Sequence, residues 1–495
     1  MINCQDAITD KFIQNELVLT THAFSLITQN GIDVDRVIQK AKDSKVWLIT
    51  HEFLDEFVAP HKHTAEEKPS TIKVERETKK IFAKEISSEL KISEEIEITG
   101  RSTCSGKIDD FLEYFNQRYS NLRNVLKERP NMRGSMQITN VKKYPKEDLS
   151  IIGMVRDKRE SKKGYKFLEV EDPTGELTVL ITKDNEKLQE AYERVMLDNV
   201  IGISGSLRNN LFIAQDFVEP ELPMTHQPKN VEEPINVAFL SDIHVGSYLF
   251  LEKEFTRFVD WLNLKGDNIE IAEKVKYVLI AGDLVDGIGV YPTQEKELSI
   301  PDIYKQYDFF AELLEDIPNY IEIIASVGNH DAVRNSEPQP KISKDIAPKL
   351  YTLENVHLVG NPAQVETHGV RTLIYHGTSL DTIIGSLSGC SYARPETAMV
   401  EYLKKRYLVP SYGSDSVSPE RKDVLFINEI PDILHCGHVH TNGYGNYRGV
   451  RMINSGTFQG RTKYQEQLGH QPTPARVPVI NLQNLDVSMI HFKNE

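Results

Sequence analysis

Five separate apolar runs, each closing on a carboxylate, an amide or an imidazole, limit this chain more than any other feature. In VAFLSDIHVGS, four apolar residues lead to Asp242 and His244; in YVLIAGDLVDG, the run ends at Asp283 and Asp286. IEIIASVGNHD delivers Asn329, His330 and Asp331, RTLIYHGTS delivers His376, and DILHCGHVHTNG delivers His438 and His440. Short apolar runs bounded by glycine read as buried strands. The i, i+2 spacing of Asp242 and His244 matches the strand period, which would point both to one face. Ligand sites of open α/β sheets lie beyond the carboxyl ends of the strands, so five such ends can converge on one crevice.

The donor set narrows the chemistry. Imidazole, carboxylate and amide oxygen without thiolate suit a hydrolytic ion such as Mn²⁺, Fe²⁺ or Zn²⁺ over structural zinc. Seven donors are too many for one ion unless a carboxylate bridges two, and ions about 3.5–4 Å apart can clamp the attacking and leaving oxygens of a phosphoester. Asp283 is the natural bridge. Singly, each histidine would read as an ordinary core or surface residue, and Gly282 and Gly328 as loop punctuation. Their joint placement at strand ends favours a metal centre.

The ordered series DxH, GDxxD, GNHD, HG and GHVH resembles the calcineurin-like metallophosphoesterase superfamily, and at the site the branch containing the double-strand-break-repair nuclease. The resemblance implies that Asp242, His244, Asp283 and His440 hold one ion and that Asp283, Asn329, His376 and His438 hold the other. It leaves His330 to protonate the leaving oxygen or orient the phosphate, with Asp286 or Asp331 as the partner that tunes it. The implied cofactors are two divalent metal ions, Mn²⁺ first, with Mg²⁺, Fe²⁺ or Zn²⁺ as alternatives.

At 495 residues the chain is too long for one core and is expected to divide into about three units. Residues 1–58 read as a small helical accessory domain, with Phe12, Leu17, Phe24, Ile27, Val37 and Ile38 at amphipathic spacing and Gly31 as a helix C-cap. Residues 59–106 are rich in charge and read as a linker, in which His61 and His63 are surface histidines. Within 107–133, Phe111, Phe115, Tyr119, Leu122 and Leu126 predict a connecting helix that Pro130 stops. Its basic residues Arg118, Arg123, Lys127 and Arg129 read as a solvated face, with DNA contact as the alternative.

Residues 134–222 alternate strand-like runs with turns at Asp172-Pro173-Thr174-Gly175 and Asn209-Asn210, around a short helix from Asn185 to Val195. The pattern looks like an OB-fold, a barrel that binds single-stranded nucleic acid in several families. Lys158, Arg159, Lys162, Lys163 and Lys166 form a basic hairpin, read as a solvated loop with a DNA clamp as the alternative. The catalytic unit, 235–495, carries expected helices near 254–264, 302–314 and 395–407. The stretch between Leu380 and Asp432 reads as a lid or substrate-side insertion. Arg461 and Lys463 in NSGTFQGRTKYQ are candidate phosphate or DNA contacts.

An OB-fold ahead of a phosphoesterase, together with VGNHDAVR, RYLVPSYG, DILHCGHVH and MINSGTFQGRT, resembles the small subunits of the archaeal family D DNA polymerase. The resemblance implies a 3′–5′ exonuclease that proofreads for a large catalytic subunit in DNA replication, with DNA and, through the complex, a sliding clamp as further partners. A non-catalytic assembly subunit and a phosphodiesterase acting on another phosphoester stand as alternatives. The expected fold class is therefore α/β multidomain: a small N-terminal helical domain, an OB-fold β-barrel, and a calcineurin-like metallophosphoesterase α/β sandwich.

A formal net charge of −15 means that DNA binding needs either a local cluster of Lys and Arg or a partner that supplies the grip. Cys4, Cys104, Cys390 and Cys436 form no CxxC pair and are expected to be reduced thiols. No run of eighteen apolar residues occurs and the start of the chain lacks a signal-peptide core, so a cytoplasmic protein without membrane contact is expected.

Overall fold

The computed structural model describes residues 4–15, 17–44, 46, 48–54, 57 and 81–493. Two units divide at Glu77. In the first, helices Cys4–Ile13, Thr21–Asn30, Val34–Asp43 and His51–Leu54 surround a two-stranded parallel ribbon, Val18–Leu19 with Leu48–Ile49. Phe12, Ala23, Ile27, Val37, Ala41 and Leu54 form its core. The Thr20 hydroxyl caps the second helix by accepting from Ala23 N at 3.2 Å, and Gly31, at φ 61°, ends it in the left-handed conformation that glycine adopts cheaply. His61 and His63 lie outside the described residues.

The second unit holds a barrel and a sandwich. The barrel closes in the order Asp148–Glu160, Lys166–Asp172, Gly175–Ile181, Leu211–Val218, Val200–Arg208, with the helix Glu186–Arg194 crossing between its third and fourth strands in chain order. Its turns follow from their residues. Asp172 Oδ1 accepts from Thr174 N at 2.7 Å and from Gly175 N at 3.1 Å, and Asn209 and Asn210 supply the positive φ of a tight hairpin.

The sandwich stacks two six-stranded sheets. One runs Val356–Leu358, Glu322–Ala325, Val275–Ile280, Asn236–Leu240, Arg476–Asn481, Val487–His491, the first four strands being parallel. The other runs Asn442–Tyr447, Val450–Ser455, Ile433–Cys436, Val370–Ile374, Ala363–Thr367, Leu90–Ile92. Phe239, Tyr277, Leu279 and Ile324 of the first sheet meet Val365, Ile374, Ile433 and Ile453 of the second in a dry layer. The helices Glu252–Leu262 and Ile303–Glu315 cover the outer face of the first sheet. Because helices cover one face and a second sheet the other, the central strands are buried throughout, Asn236 and Lys276 included, and show no alternation.

Three expectations are corrected here. Residues 81–106 are no linker: Leu90–Ile92 extends the second sheet by antiparallel pairing of Ile92 with Val365, and Ala83 is fully buried. Isolated aliphatics among charges hid this edge strand, while 59–80 lies outside the described residues. The 380–432 stretch is not a free lid, since Leu380, Ile383, Ala398, Met399, Tyr402 and Leu403 of its two helices are buried in a core shared with the connecting helix Ile108–Lys127 and the barrel. Arg118 on that helix is 1% exposed and stacks over Tyr407 at 4.1 Å, and Arg129 donates to the Glu221 carbonyl at 2.7 Å. Arg118 is thereby turned away from solvent, and Arg129, half-buried, is tied to the backbone. Barrel and sandwich also meet through Lys405 with Glu219 at 3.3 Å and Asn199 Nδ2 with the Pro410 carbonyl at 3.2 Å.

No helix among the described residues is long and apolar enough to cross a membrane. Cys104, Cys390 and Cys436 carry free thiols.

Candidate metal centre and its relatives

Strand Asn236–Leu240 stops before Asp242, and neither Asp242 nor His244 belongs to a strand. The strand-period argument for these two is therefore corrected: a left-handed backbone, not the pleat, turns them inward. Asp242, His244, Asp283, His438 and His440 have φ of 52°, 55°, 52°, 68° and 56°. Such a backbone costs about 1–2 kcal/mol per residue, and Asp and His populate it more readily than most side chains. Backbone bonds between the loops hold it in place: Asp242 N donates to the Gly282 carbonyl at 2.9 Å and His244 N to the Asp283 carbonyl at 3.1 Å.

Glycines let the loops close. A Cβ at Gly328 would stand 2.3 Å from Asp283 Oδ1, and one at Gly437 2.5 Å from Asp242 Oδ2. Neither position admits a side chain.

All seven expected ligands converge. His244 Nε2 and His440 Nε2 are 3.1 Å apart, with Asp242 Oδ1 3.4 Å from the latter. On the other side, Asn329 Oδ1 lies 2.9 Å from His376 Nε2 and 3.1 Å from His438 Nδ1. Between the halves stands Asp283. Its Oδ1 accepts from His330 N at 2.8 Å, which turns Oδ2 to 3.7 Å from His244 Nε2 and 3.4 Å from His376 Nε2. Asp242–His244–His440 and Asp242–Asp283–His376 each bring three donor atoms close enough for one ion. Facing imidazole nitrogens beside buried carboxylates are the donor chemistry of divalent cations, so the residues fit such ions.

The electrostatics agree. Burial opposes a charge on Asp283, yet the imidazoles of His376, His330 and His244 hold its carboxyl well below the usual carboxylate range. Burial likewise opposes charge on His244 and His376, but Asp286, Asp283 and Asp242 push the first up to about 9, and Asp283 and Asp242 push the second up to about 10. In the metal-free centre protons balance the carboxylates, and a cation takes their place.

Of the two expected partners of His330, Asp286 stays, its charge and carbonyl both favouring the charged ring, and Asp331 is corrected. The Asp286 carboxylate sits 3.0 Å from His244 Nδ1, and it is the Asp286 backbone carbonyl that takes His330 Nδ1, at 2.8 Å. Asp331 accepts from Gly328 N at 2.8 Å and from the Tyr307 hydroxyl at 2.9 Å, so it shapes the loop and does not touch His330 through its carboxylate. Arg461 and Lys463 are exposed, and the helix Lys463–Gln467 brings Gln465 to His440.

Sequence reasoning missed the outer ring of polar groups. Asp381 Oδ2 is 3.1 Å from His438 Nε2, Gln465 Nε2 is 2.9 Å from His440 Nδ1, and Gln459 and Gln294 donate to the Asp286 carboxylate at 3.0 and 3.1 Å. The only signal was proximity: Asp381 follows His376 by five residues and Gln465 lies beside Arg461 in the flagged segment.

Residues 235–442 match the family model described as calcineurin-like phosphoesterase, and residues 149–222 the one described as OB-fold nucleic acid binding domain. A protein named DNA polymerase II small subunit from Methanothermobacter thermautotrophicus is 41% identical over 486 residues, covering 96% of this chain and 97% of its own. Its namesake from Archaeoglobus fulgidus is 40% identical over 95% of both chains, and that from Methanocaldococcus jannaschii is 44% identical over 81% of this chain and 68% of its own. This chain belongs to the archaeal DNA polymerase II small-subunit family, the small subunits of family D polymerases. The small subunit thus pairs an OB-fold with a phosphoesterase domain whose metal-capable loops are all present.

The basic hairpin of the OB-fold is neutralised only in part, Lys162 and Lys163 being exposed with no ion pair among the described residues. Arg156 pairs with Glu176, Arg159 with Glu169 at 2.8 Å, and Lys166 with Glu193, while Lys158 donates to the Val195 carbonyl at 3.0 Å.

Proposed function

We propose that this small subunit is a two-cation 3′–5′ exonuclease that trims mispaired DNA ends for the large, nucleotide-adding subunit of its polymerase. The observation that carries the reading is Asp283 Oδ2, held between His244 Nε2 and His376 Nε2 at 3.7 and 3.4 Å by the clamp on its other oxygen. That is where a bridging carboxylate has to be. Asp242, His244, Asp283 and His440 would hold one ion; Asp283, Asn329, His376 and His438 would hold the other. Manganese suits this imidazole-rich set, with magnesium, iron or zinc as substitutes. When bound, the ions supply charge neutralisation for the phosphoryl oxygens and an acidified attacking water.

The chain's own residues do the rest. Asp286 fixes the ring of His244, and Asp381 fixes that of His438, so each ligand's remaining nitrogen faces inward. His330, anchored through Nδ1 on the Asp286 carbonyl, presents Nε2 to the leaving oxygen. As the bond from water to phosphorus forms, the bond from phosphorus to the 3′ oxygen breaks and that oxygen takes a proton from Nε2 of His330, which must first be charged to the imidazolium against the burial that lowers its pKa. The products are a nucleoside 5′-monophosphate and an end one residue shorter. Support for the partner comes from the relatives' shared name, which speaks of a small subunit.

Replacing Asp283 with alanine should lower digestion of a 3′-mispaired oligonucleotide in Mn²⁺ by about a thousandfold or more. Chelator should do the same to the native protein. Digestion that survives either treatment removes the two-cation assignment.

A further inference from the structure

We propose that the exposed apolar patch formed by Tyr248, Leu249, Ile288 and Tyr291 is a stacking subsite for an unpaired nucleobase, that of the nucleotide whose 3′ oxygen departs. The inference rests on the exonuclease reading and deepens it by naming what lies beside the scissile phosphate.

The patch occupies two short segments that follow directly on residues of the centre, one after His244 and one after Asp286. Tyr248 is 69% exposed, Leu249 38%, Ile288 47% and Tyr291 37%. Clustered exposed apolar side chains on a protein surface mark a place where something binds. The segments are braced together. Ser247 bridges to Leu298, Tyr248 N donates to the Glu297 carbonyl at 3.0 Å, and the Tyr291 hydroxyl donates to the Glu297 carboxylate at 3.0 Å. Glu297 thus holds the Tyr248 backbone and the Tyr291 hydroxyl, which draws the two segments together and fixes the Tyr291 ring.

The patch also starts next to the acid. The Tyr291 ring lies 6.3 Å from that of His330, inclined at 64°. A sugar whose 3′ oxygen meets His330 Nε2 carries its base into the neighbourhood of Tyr291.

The chemistry of the chain favours stacking over charge. Its net charge is −15, and the basic hairpin of the barrel is tied to Glu176, Glu169 and Glu193. Lys162 and Lys163 at the tip of that hairpin stay exposed, but they belong to the barrel and not to the two segments of the patch. Stacking on tyrosine accepts every base, because every base has a π face, as a trimming enzyme requires. It also selects: a paired end keeps its bases in the duplex stack, whereas a mispaired end releases them at little cost.

The test uses the full chain, Mn²⁺, and oligonucleotides with a mispaired 3′ end that carry either a base or an abasic residue at the penultimate position. Native protein should cleave the base-bearing end about tenfold more efficiently in kcat/KM, the size of one base–aromatic stack. The Tyr248→Ala, Tyr291→Ala double variant should narrow that preference to about twofold or less, and Tyr291→Phe should keep it, since the ring remains. A preference that stays tenfold in the double variant overturns the proposal. So does intact preference joined to lost co-purification with the large subunit, which would make the patch a protein-docking surface. Should the alanine variant melt early, quenching of 2-aminopurine at the penultimate position by the native chain in Ca²⁺ reads the same contact, and absent quenching overturns it. If native protein cleaves neither end, it is the exonuclease reading that has failed, and the subsite falls with it.

Discussion

Asp283 illustrates how much one side chain can be asked to do when its two oxygens face different partners. The His330 amide takes one oxygen, and two imidazoles flank the other. His330→Ala should leave this arrangement standing, so turnover should fall by about a hundredfold to ten-thousandfold while the protein still binds Mn²⁺. Kinetics beside a calorimetric metal titration checks it, and loss of metal would make His330 a ligand. Asp286→Asn acts one step further out: it weakens the hold on His244 Nδ1 and should lower metal affinity by about 10–100-fold. A pH dependence follows from His244 and His376. Their folded pKa values, about 9 and about 10, lie above the ordinary 6.5, so the stabilisation they give the metal-free protein is complete below 6.5 and is lost as pH rises through 9 to 10. The melting temperature of chelated protein should therefore fall across that window. Saturating Mn²⁺ should flatten the fall, because ions take the place of the protons.

The loops carry the precision and the strands carry the support. Each parallel strand of the first sheet ends where a loop turns sharply, and the turns lock by backbone bonds such as Asp242 N to the Gly282 carbonyl. Gly328→Ala should keep the fold yet cost most of the activity, since its Cβ would collide with Asp283 Oδ1. Near-native circular dichroism with native turnover would contradict this. The edge strand Leu90–Ile92 makes a parallel point about stability. Removing residues 1–57 should leave the melting of the second unit unchanged, whereas removal through residue 93 deprives Val365 and Thr367 of their partners and should lower it by several degrees. Leu90 and Ile92 were hard to see beforehand because a three-residue edge strand among lysines and glutamates shows no periodicity of its own.

At the scale of the whole molecule, charge bears on how the proposed DNA substrate would be held. An acidic chain in which Arg156, Arg159 and Lys166 of the barrel are paired with glutamates, leaving Lys162 and Lys163 exposed, can neutralise few phosphates by itself. Its affinity for single-stranded DNA should therefore fall only gently with salt, with a log–log slope equivalent to about three phosphate contacts or fewer, and steepen once the large subunit is added. Fluorescence anisotropy between 50 and 200 mM salt, about the range over which such slopes are resolved, separates the cases. A steep slope for the isolated chain would mean that a basic surface has been overlooked.

The ordered motifs at strand ends determined the sandwich and the set of seven side chains that meet, and the strand-and-turn alternation of 134–222 determined the barrel ahead of it. They could do so because strand burial and loop chemistry are local: an apolar run and the glycine after it read the same in isolation as in place. What lies between the residues was decided by the tertiary structure. That Asp286 serves His244 and Asp331 the loop, that Arg118 is buried under Tyr407, and that 81–106 joins a sheet all depend on groups far apart in the chain. Hydrogen bonds and burial are assigned by neighbours in space, and no spacing along the chain records those neighbours.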